Sequence, residues 1–325
     1  MVYKQFLTAV KERMEYVLGS EYKLILRKIP KNNGIVLDGL CIMRGDSNIA
    51  PAIYLNTCYQ NFQSGIPMEE IIAELLTLYH SHQSPPHLEL YSLASYESVK
   101  DRIAFKLIHS QANRKLLNTV PHIEWLDLAL VFYVCMNEDE DSLITSLIHN
   151  EHLTLWNISL EDLKDQAFSN TPRLFPSKLT SMSSLLEPLE QKESQTETAA
   201  PFFILSNTSG MNGAGSILYN HTLKHFADTI GGDVIILPSS VHEVLLLPDT
   251  GNISYSEMRR LVAHINESEV PEEDRLSNEV YVYSRSLDSI SIASDIASEA
   301  GAKNAGSILP DPLPAQTAPT ISLPI

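Results

Sequence analysis

The run from Pro201 to Pro248 reads PFFILSNTSGMNGAGSILYNHTLKHFADTIGGDVIILPSSVHEVLLLP. An apolar strand over 202–206 enters a loop of Asn, Ser and Gly. An amphipathic helix over 216–230 follows and closes at Gly231-Gly232. A second apolar strand, 233–238, passes through Pro238-Ser239-Ser240 into a third, 241–247. If strands 202–206 and 233–238 are parallel with the helix as crossover, their C-terminal ends lie on one edge; an antiparallel arrangement would separate Asn207 from Ser239 by a strand's length, roughly 17 Å.

Working outward, Ser254 and Glu257 form a capping-box pattern for a helix over 255–267. Strands are expected at 278–284 and 288–293. Upstream, Phe6, Val10, Met14 and Leu18 recur every four residues, so 2–18 reads as a helix ending near Gly19. YKLILRKIP and IVLDGLCIM flank Lys31-Asn32-Asn33-Gly34, a hairpin signal. Helices are expected at 67–80, 93–103 and 159–168, the last opened by Ser159 as N-cap. Strands are expected at 104–109, 127–136 and 143–149, the last two around an acidic turn at 137–141. The fold class is α+β (mixed α/β). An N-terminal α+β region spans 1–187 and a C-terminal α/β sandwich domain spans 201–295. Residues 188–200 read as a polar linker. Residues 296–325 read as a disordered tail, given their Pro content and small residues.

Composition excludes several roles. The 325 residues hold 23 Lys and Arg against 40 Asp and Glu, a formal net charge of -17. That balance opposes binding to nucleic acid phosphates and to anionic membranes. Cys41, Cys58 and Cys135 are odd in number and lack C-x-x-C spacing, so reduced thiols in a cytoplasmic protein are expected. The N-terminal helix carries charges throughout and does not read as a signal peptide. No apolar run reaches the roughly 18 residues of a spanning helix. No cofactor and no metal site are expected. The partner is an unidentified protein or small molecule.

Four constellations carry chemical potential. Ser239, Ser240, His242 and Glu243 hold the ingredients of acyl transfer. In a strand, Ser240 and His242 share a face and Glu243 takes the other, so the three do not form a contiguous triad. No G-x-S-x-G elbow is present. A turn built by Pro and Ser, with His242 hydrogen-bonded for support, is the plainer reading. Asn207, Asn212 and Gly213 are binding candidates at the same edge, where loop geometry alone also explains Asn and Gly. His221 and His225 are spaced i, i+4 but lie opposite the apolar face of Leu223, Phe226 and Ile230, so both are expected in solvent. His122 is a candidate base paired with Asp127, or else a residue that only enters the strand.

NGIVLDGLCI, PAIYLNTCYQNFQSG, NRKLLNTVPHIEWLDLALVF, WNISLEDLKDQAFSNT and ILPSSVHEVLLLP together resemble a bacterial family known as domain of unknown function 5688. The resemblance covers roughly residues 3–293. It implies no activity, cofactor or partner, and no catalytic residue transfers from it. The leading expectation is an interaction or regulatory module. The alternative is a hydrolase using the Ser/His edge.

Overall fold

Phe6, Val10 and Met14 are all buried along one face of helix α1, Tyr3–Leu18, as the four-residue spacing requires. Gly19 ends the helix at φ +89°, and its N–H returns to the Glu15 carbonyl. The computed structural model describes residues 1–44, 52–81, 93–136, 144–182, 202–252 and 254–293. The expected linker at 188–200, tail at 296–325 and acidic turn at 137–141 lie outside them.

Strands β1 (Tyr22–Pro30) and β2 (Val36–Arg44) form the expected hairpin, with Pro30 opposite Val36. Its tip is a short 3-10 turn over Asn32–Gly34, with Asn33 at φ 58°, a value Asn tolerates better than most residues. Strand β3 (Ala52–Tyr54) pairs with β2. Helices α2 (Leu55–Gln63) and α3 (Met68–Ser81) pack with α1 on this sheet. One hydrophobic cluster, Phe6 to Tyr79, unites these elements.

The next elements are α4 (Tyr96–Val99), β4 (Ile103–His109), α5 (Arg114–Leu117), β5 (His122–Trp125), β6 (Leu128–Cys135), β7 (Thr145–Leu147), α6 (Asn150–Trp156) and α7 (Leu160–Leu174). The helix expected over 93–103 is instead the four residues of α4 followed by a 3-10 turn over Lys100–Arg102. Strand β6 is central, paired with β4 on one side and with β5 and β7 on the other. All eight of its residues are buried, which explains its unbroken apolar run. Ser159 caps α7 by accepting the Asp162 N–H. The helix outruns its expected end at Phe168. Asn170 donates to the Lys100 and Ile103 carbonyls, and Thr171 accepts the Phe105 N–H, so tertiary bonds hold the last turn in place.

The remaining strands are β8 (Ser177–Ser181), β9 (Phe203–Asn207), β10 (Val234–Leu237), β11 (Val244–Pro248), β12 (Tyr281–Ser284) and β13 (Ser289–Ile292). Helix α8 (Thr222–Ile230) precedes β10, and α9 (Tyr255–Glu269) follows β11. The sheet order is β13-β12-β10-β11-β9-β8, and every neighbouring pair is antiparallel. Strands β9 and β10 therefore run in the same direction without being neighbours, because β11 lies between them. Their C-terminal ends do share an edge. The helix expected from 216 begins only at Thr222. Residues Gly213–Leu218 form a buried 3-10 segment, and His221 at φ 64° precedes α8. The strand expected from 241 begins at Val244.

A single hydrophobic cluster joins the four-stranded and six-stranded sheets. Within it, Phe105 of β4 stacks on Phe168 of α7, and Trp125 of β5 meets Tyr281 of β12 edge-on. Strand β8 precedes the expected linker yet completes the C-terminal sheet. Its partner in that sheet is β9, in antiparallel register from Ser177–Asn207 to Ser181–Phe203. The class is α+β, with three antiparallel sheets.

Candidate functional site

At the shared ends of β9 and β10, residues 238–243 are irregular because their backbone bonds go elsewhere. The Val241 N–H donates to the Asp274 carbonyl. The Leu276 and Ser277 N–H groups donate to Ser239 and Pro238. This places the segment against a 3-10 turn at Glu272–Asp274. His242 sits at the centre. Its Nδ1 accepts the Asn212 N–H at 3.3 Å, and its Nε2 lies 3.2 Å from Asp274 Oδ1. An amide N–H can only donate, so the ring proton is on Nε2 and faces the carboxylate. The His242 N–H donates to Ser240 Oγ at 3.1 Å, and Ser206 Oγ donates to the His242 carbonyl at 2.7 Å.

Asn207 and Gly213 complete this edge. Asn207 is buried; its Nδ2 donates to the Met211 carbonyl and its Oδ1 accepts the Ser209 N–H. These bonds fold the 207–211 loop back on itself. Asn212 lies at φ 54°. A Cβ on Gly213 would come within 2.2 Å of Ser206 Oγ and 2.5 Å of the His242 carbonyl oxygen. The backbones approach that closely only because Gly213 has no side chain. Asn207, Asn212, Gly213, Ser240 and His242 are therefore brought together. Glu243 is exposed and does not join them. The carboxylate beside His242 is Asp274, 32 residues further along, for which the sequence offers no local signal.

The chemistry of this edge follows from its bonds. A general base needs a free ring nitrogen within reach of the nucleophile's proton. Both nitrogens of His242 are engaged, and the Ser240 hydroxyl meets the His242 backbone instead of the ring. Among the described residues, neither Ser239 nor Ser240 is hydrogen-bonded to an imidazole.

His122 and Asp127 do not pair. They belong to one hairpin, but His122 lies opposite Val131, whereas Asp127 is in the turn beyond the Trp125–Leu128 pair. Three residues of strand separate His122 from that turn's start, roughly 10 Å. His122 Nε2 is 3.8 Å from Glu124, and its Nδ1 meets the Val120 carbonyl. Asp127 instead accepts the hydroxyl hydrogens of Ser277, at 2.6 Å, and Tyr281, with His109 Nε2 3.9 Å away. Burial, with the Asp127 charge beside it, pushes the Tyr281 hydroxyl far above its usual range. This carboxylate clasps β12 to the β5–β6 turn.

His221 and His225 are exposed, while Leu223 and Phe226 are buried and Ile230 is half-buried. Among the described residues, no group of three His, Cys, Asp or Glu is arranged to hold a metal ion. The two imidazoles line a groove beside α8. Leu179 of β8, Phe203 and Leu205 of β9 and Leu246 of β11 contribute its apolar lining, and the cavity measures about 540 Å³. Sequence periodicity missed this groove because α8 covers only part of the sheet face.

The chain belongs to the family of unknown function DUF5688, whose model matches residues 3–285. No curated protein and no solved structure matches it. No helix among the described residues is long and apolar enough to cross a membrane.

Proposed function

We propose that this protein is an interaction module whose groove beside α8 receives apolar side chains of a protein partner. The observation that carries this reading is Leu179. It is 47% exposed on β8, which ends the strand order, and it lines the same groove as Phe203, Leu205 and Leu246. Exposed apolar surface rimmed by polar groups is characteristic of protein contact sites. Here the rim is Asn220, His221 and His225. One helix and one sheet face form the groove, whereas small-molecule sites enclose most of their ligand. Side chains projecting from a second protein surface suit this shape better. The hydrolytic alternative draws no support from His242, whose ring is occupied by Asn212 and Asp274. The three cysteines are free thiols, two of them buried, which supports a cytoplasmic setting.

The test is a photo-reactive side chain placed at position 179 and, as control, at exposed Glu124. The expected result is a discrete protein adduct at 179, absent at 124 and lost when Phe203 is changed to Asp in a variant that still unfolds cooperatively. Equal labelling at both positions would sink the reading. So would covalent capture of Ser239 or Ser240 by a serine-directed fluorophosphonate.

A further inference from the structure

Leu179 is the last side chain of a cross-strand row. On the α8 face of the six-stranded sheet, Val244 of β11 pairs with Leu205 of β9, and Leu205 pairs with Leu179 of β8. Directly paired residues of antiparallel strands point to the same face. Val244 and Leu205 are 0% exposed, whereas Leu179 is 47% exposed. Burial along the row therefore stops one strand short of its end.

The backbone of β8 is in phase with that gap. The Met182 N–H donates to the Phe202 carbonyl and the Thr208 N–H to the Pro176 carbonyl, each at 2.9 Å. Along an antiparallel strand, residues that exchange both bonds with one neighbour alternate with residues that turn both groups away from it. Even-numbered positions of β8 thus bond to β9. Ser177 and Leu179 turn their N–H and C=O groups to the outer edge, where no described strand lies.

Every open sheet has an outermost strand, and proteins guard such edges with short strands and lysines. Strand β8 has five residues and carries Lys178. Side chains alternate between faces, however. Lys178 guards the face opposite Leu179, and the groove face carries an exposed leucine in place of a charge. None of the described residues lining the groove is acidic, in a chain with 40 Asp and Glu, while His221 and His225 stand at its rim. The local charge pattern suits an acidic occupant better than a basic one.

We propose that the partner docks as an extended acidic segment that adds to β8 as a further strand. Its backbone takes the outward N–H and C=O groups of Ser177 and Leu179. Its alternate apolar side chains continue the row of Val244, Leu205 and Leu179, and its carboxylates meet Lys178 on one face and the two imidazoles on the other. Strand addition draws affinity from main-chain bonds and specificity from the pockets that receive alternate side chains. This inference rests on the interaction reading of the groove and names its mode.

Short random peptides displayed on phage and selected against the full chain supply the probe. Enriched sequences should alternate apolar and polar residues and carry carboxylates. The synthesised binder should lose at least about tenfold in affinity to Leu179→Asp, a change at an exposed side chain. Amide hydrogen exchange in the wild-type chain then reads the backbone bonds one by one. The Lys178 and Thr180 amides, held by β9, should exchange slowly with or without peptide. The Leu179 amide should exchange rapidly in the free chain and at least about tenfold more slowly with peptide bound. A binder that needs the Leu179 side chain yet leaves its amide exchanging freely would overturn strand addition and leave the groove reading standing. A Leu179 amide already slow in the free chain would do the same. Binders indifferent to Leu179→Asp, or no enriched peptide at all, would overturn both.

Discussion

His242 holds its ring between the Asn212 amide and the Asp274 carboxylate, 3.2 Å from the latter, so one imidazole ties the 207–212 loop to the 272–274 turn. Replacing it with alanine removes both bonds. Because His242 and Asp274 are each about a third exposed, water recovers part of the loss. His242→Ala should cost an amount at the lower end of about 1–3 kcal/mol, read from the urea midpoint. An unchanged midpoint would show that the ring supports nothing.

Gly213 should be far less tolerant than Gly210. A methyl group at 213 runs into the Asn207 backbone at 2.7 Å as well as the His242 carbonyl, and backbone cannot swing aside. Gly213→Ala should cost about 3 kcal/mol or more, the upper range for overpacking. Gly210 has open space around it, and only its φ of +67° opposes a side chain. Gly210→Ala should cost about 1 kcal/mol. Equal midpoints for the two variants would contradict the close approach described here.

Asp127 and Tyr281 should be energetically coupled. Asp127→Ala leaves a buried hydroxyl with a lost acceptor, whereas Tyr281→Phe removes the donor cleanly. A double-mutant cycle should give a coupling of about 1–2 kcal/mol, with Asp127→Ala the worse single change. Additive effects would mean that the pair does not act as one unit.

High pH should unfold the protein through its buried phenols. Burial holds the Tyr133 and Tyr281 hydroxyls well above the ordinary tyrosine value, and pushes Tyr219 up to about 12. Above roughly pH 10 the unfolded chain loses these protons while the folded chain keeps them. The unfolded state then binds fewer protons, so stability falls as pH rises. Phenolate absorbance from these residues should appear together with the loss of far-ultraviolet dichroism. An earlier, separate step accounting for all the tyrosines would refute this.

Thiol reactivity should follow burial. Cys41 and Cys135 are buried, and desolvation pushes the Cys135 thiol up to about 12. Cys58 is only half-buried, although its thiol is also raised, chiefly by burial. A disulfide reagent should therefore find Cys58 first and Cys135 only on unfolding. Rapid native labelling at Cys135 would contradict this burial.

Local pattern made much of this fold legible. Phe6, Val10 and Met14 fixed the buried face of α1, Ser159 and Ser254 fixed two helix starts, and the unbroken apolar run of β6 announced a fully buried strand. What pattern did not show was pairing. Nothing in the sequence says that β11 inserts between β9 and β10, or that β8 joins them. Antiparallel register across long separations is decided by tertiary packing. The helix expected over 216–230 is shorter because 3-10 and α segments share apolar spacing over one turn, and the left-handed His221 that breaks the chain before Thr222 carries no apolar signal. His122 does enter a strand, as the plainer reading has it, and its alternative pairing with Asp127 fails because nearness in sequence is not nearness along a hairpin. At the candidate edge, Asn207, Asn212 and His242 were legible as a group, but Asp274 was not.

The β1–β2 tip carries one more consequence. Asn33 donates through its side chain to the Glu272 and Arg275 carbonyls and pairs with Asn113, while Asn32 donates to the Glu273 carbonyl. Asn33 and Arg275 are 242 positions apart. A ribosome adding about 5–20 residues per second needs on the order of ten to fifty seconds to span that distance. The helices and strands around Phe6 to Tyr79 can pack in that interval, but the tip's amides must stay hydrated until the 272–275 carbonyls emerge. The nascent chain thus keeps an open latch until synthesis has passed Arg275.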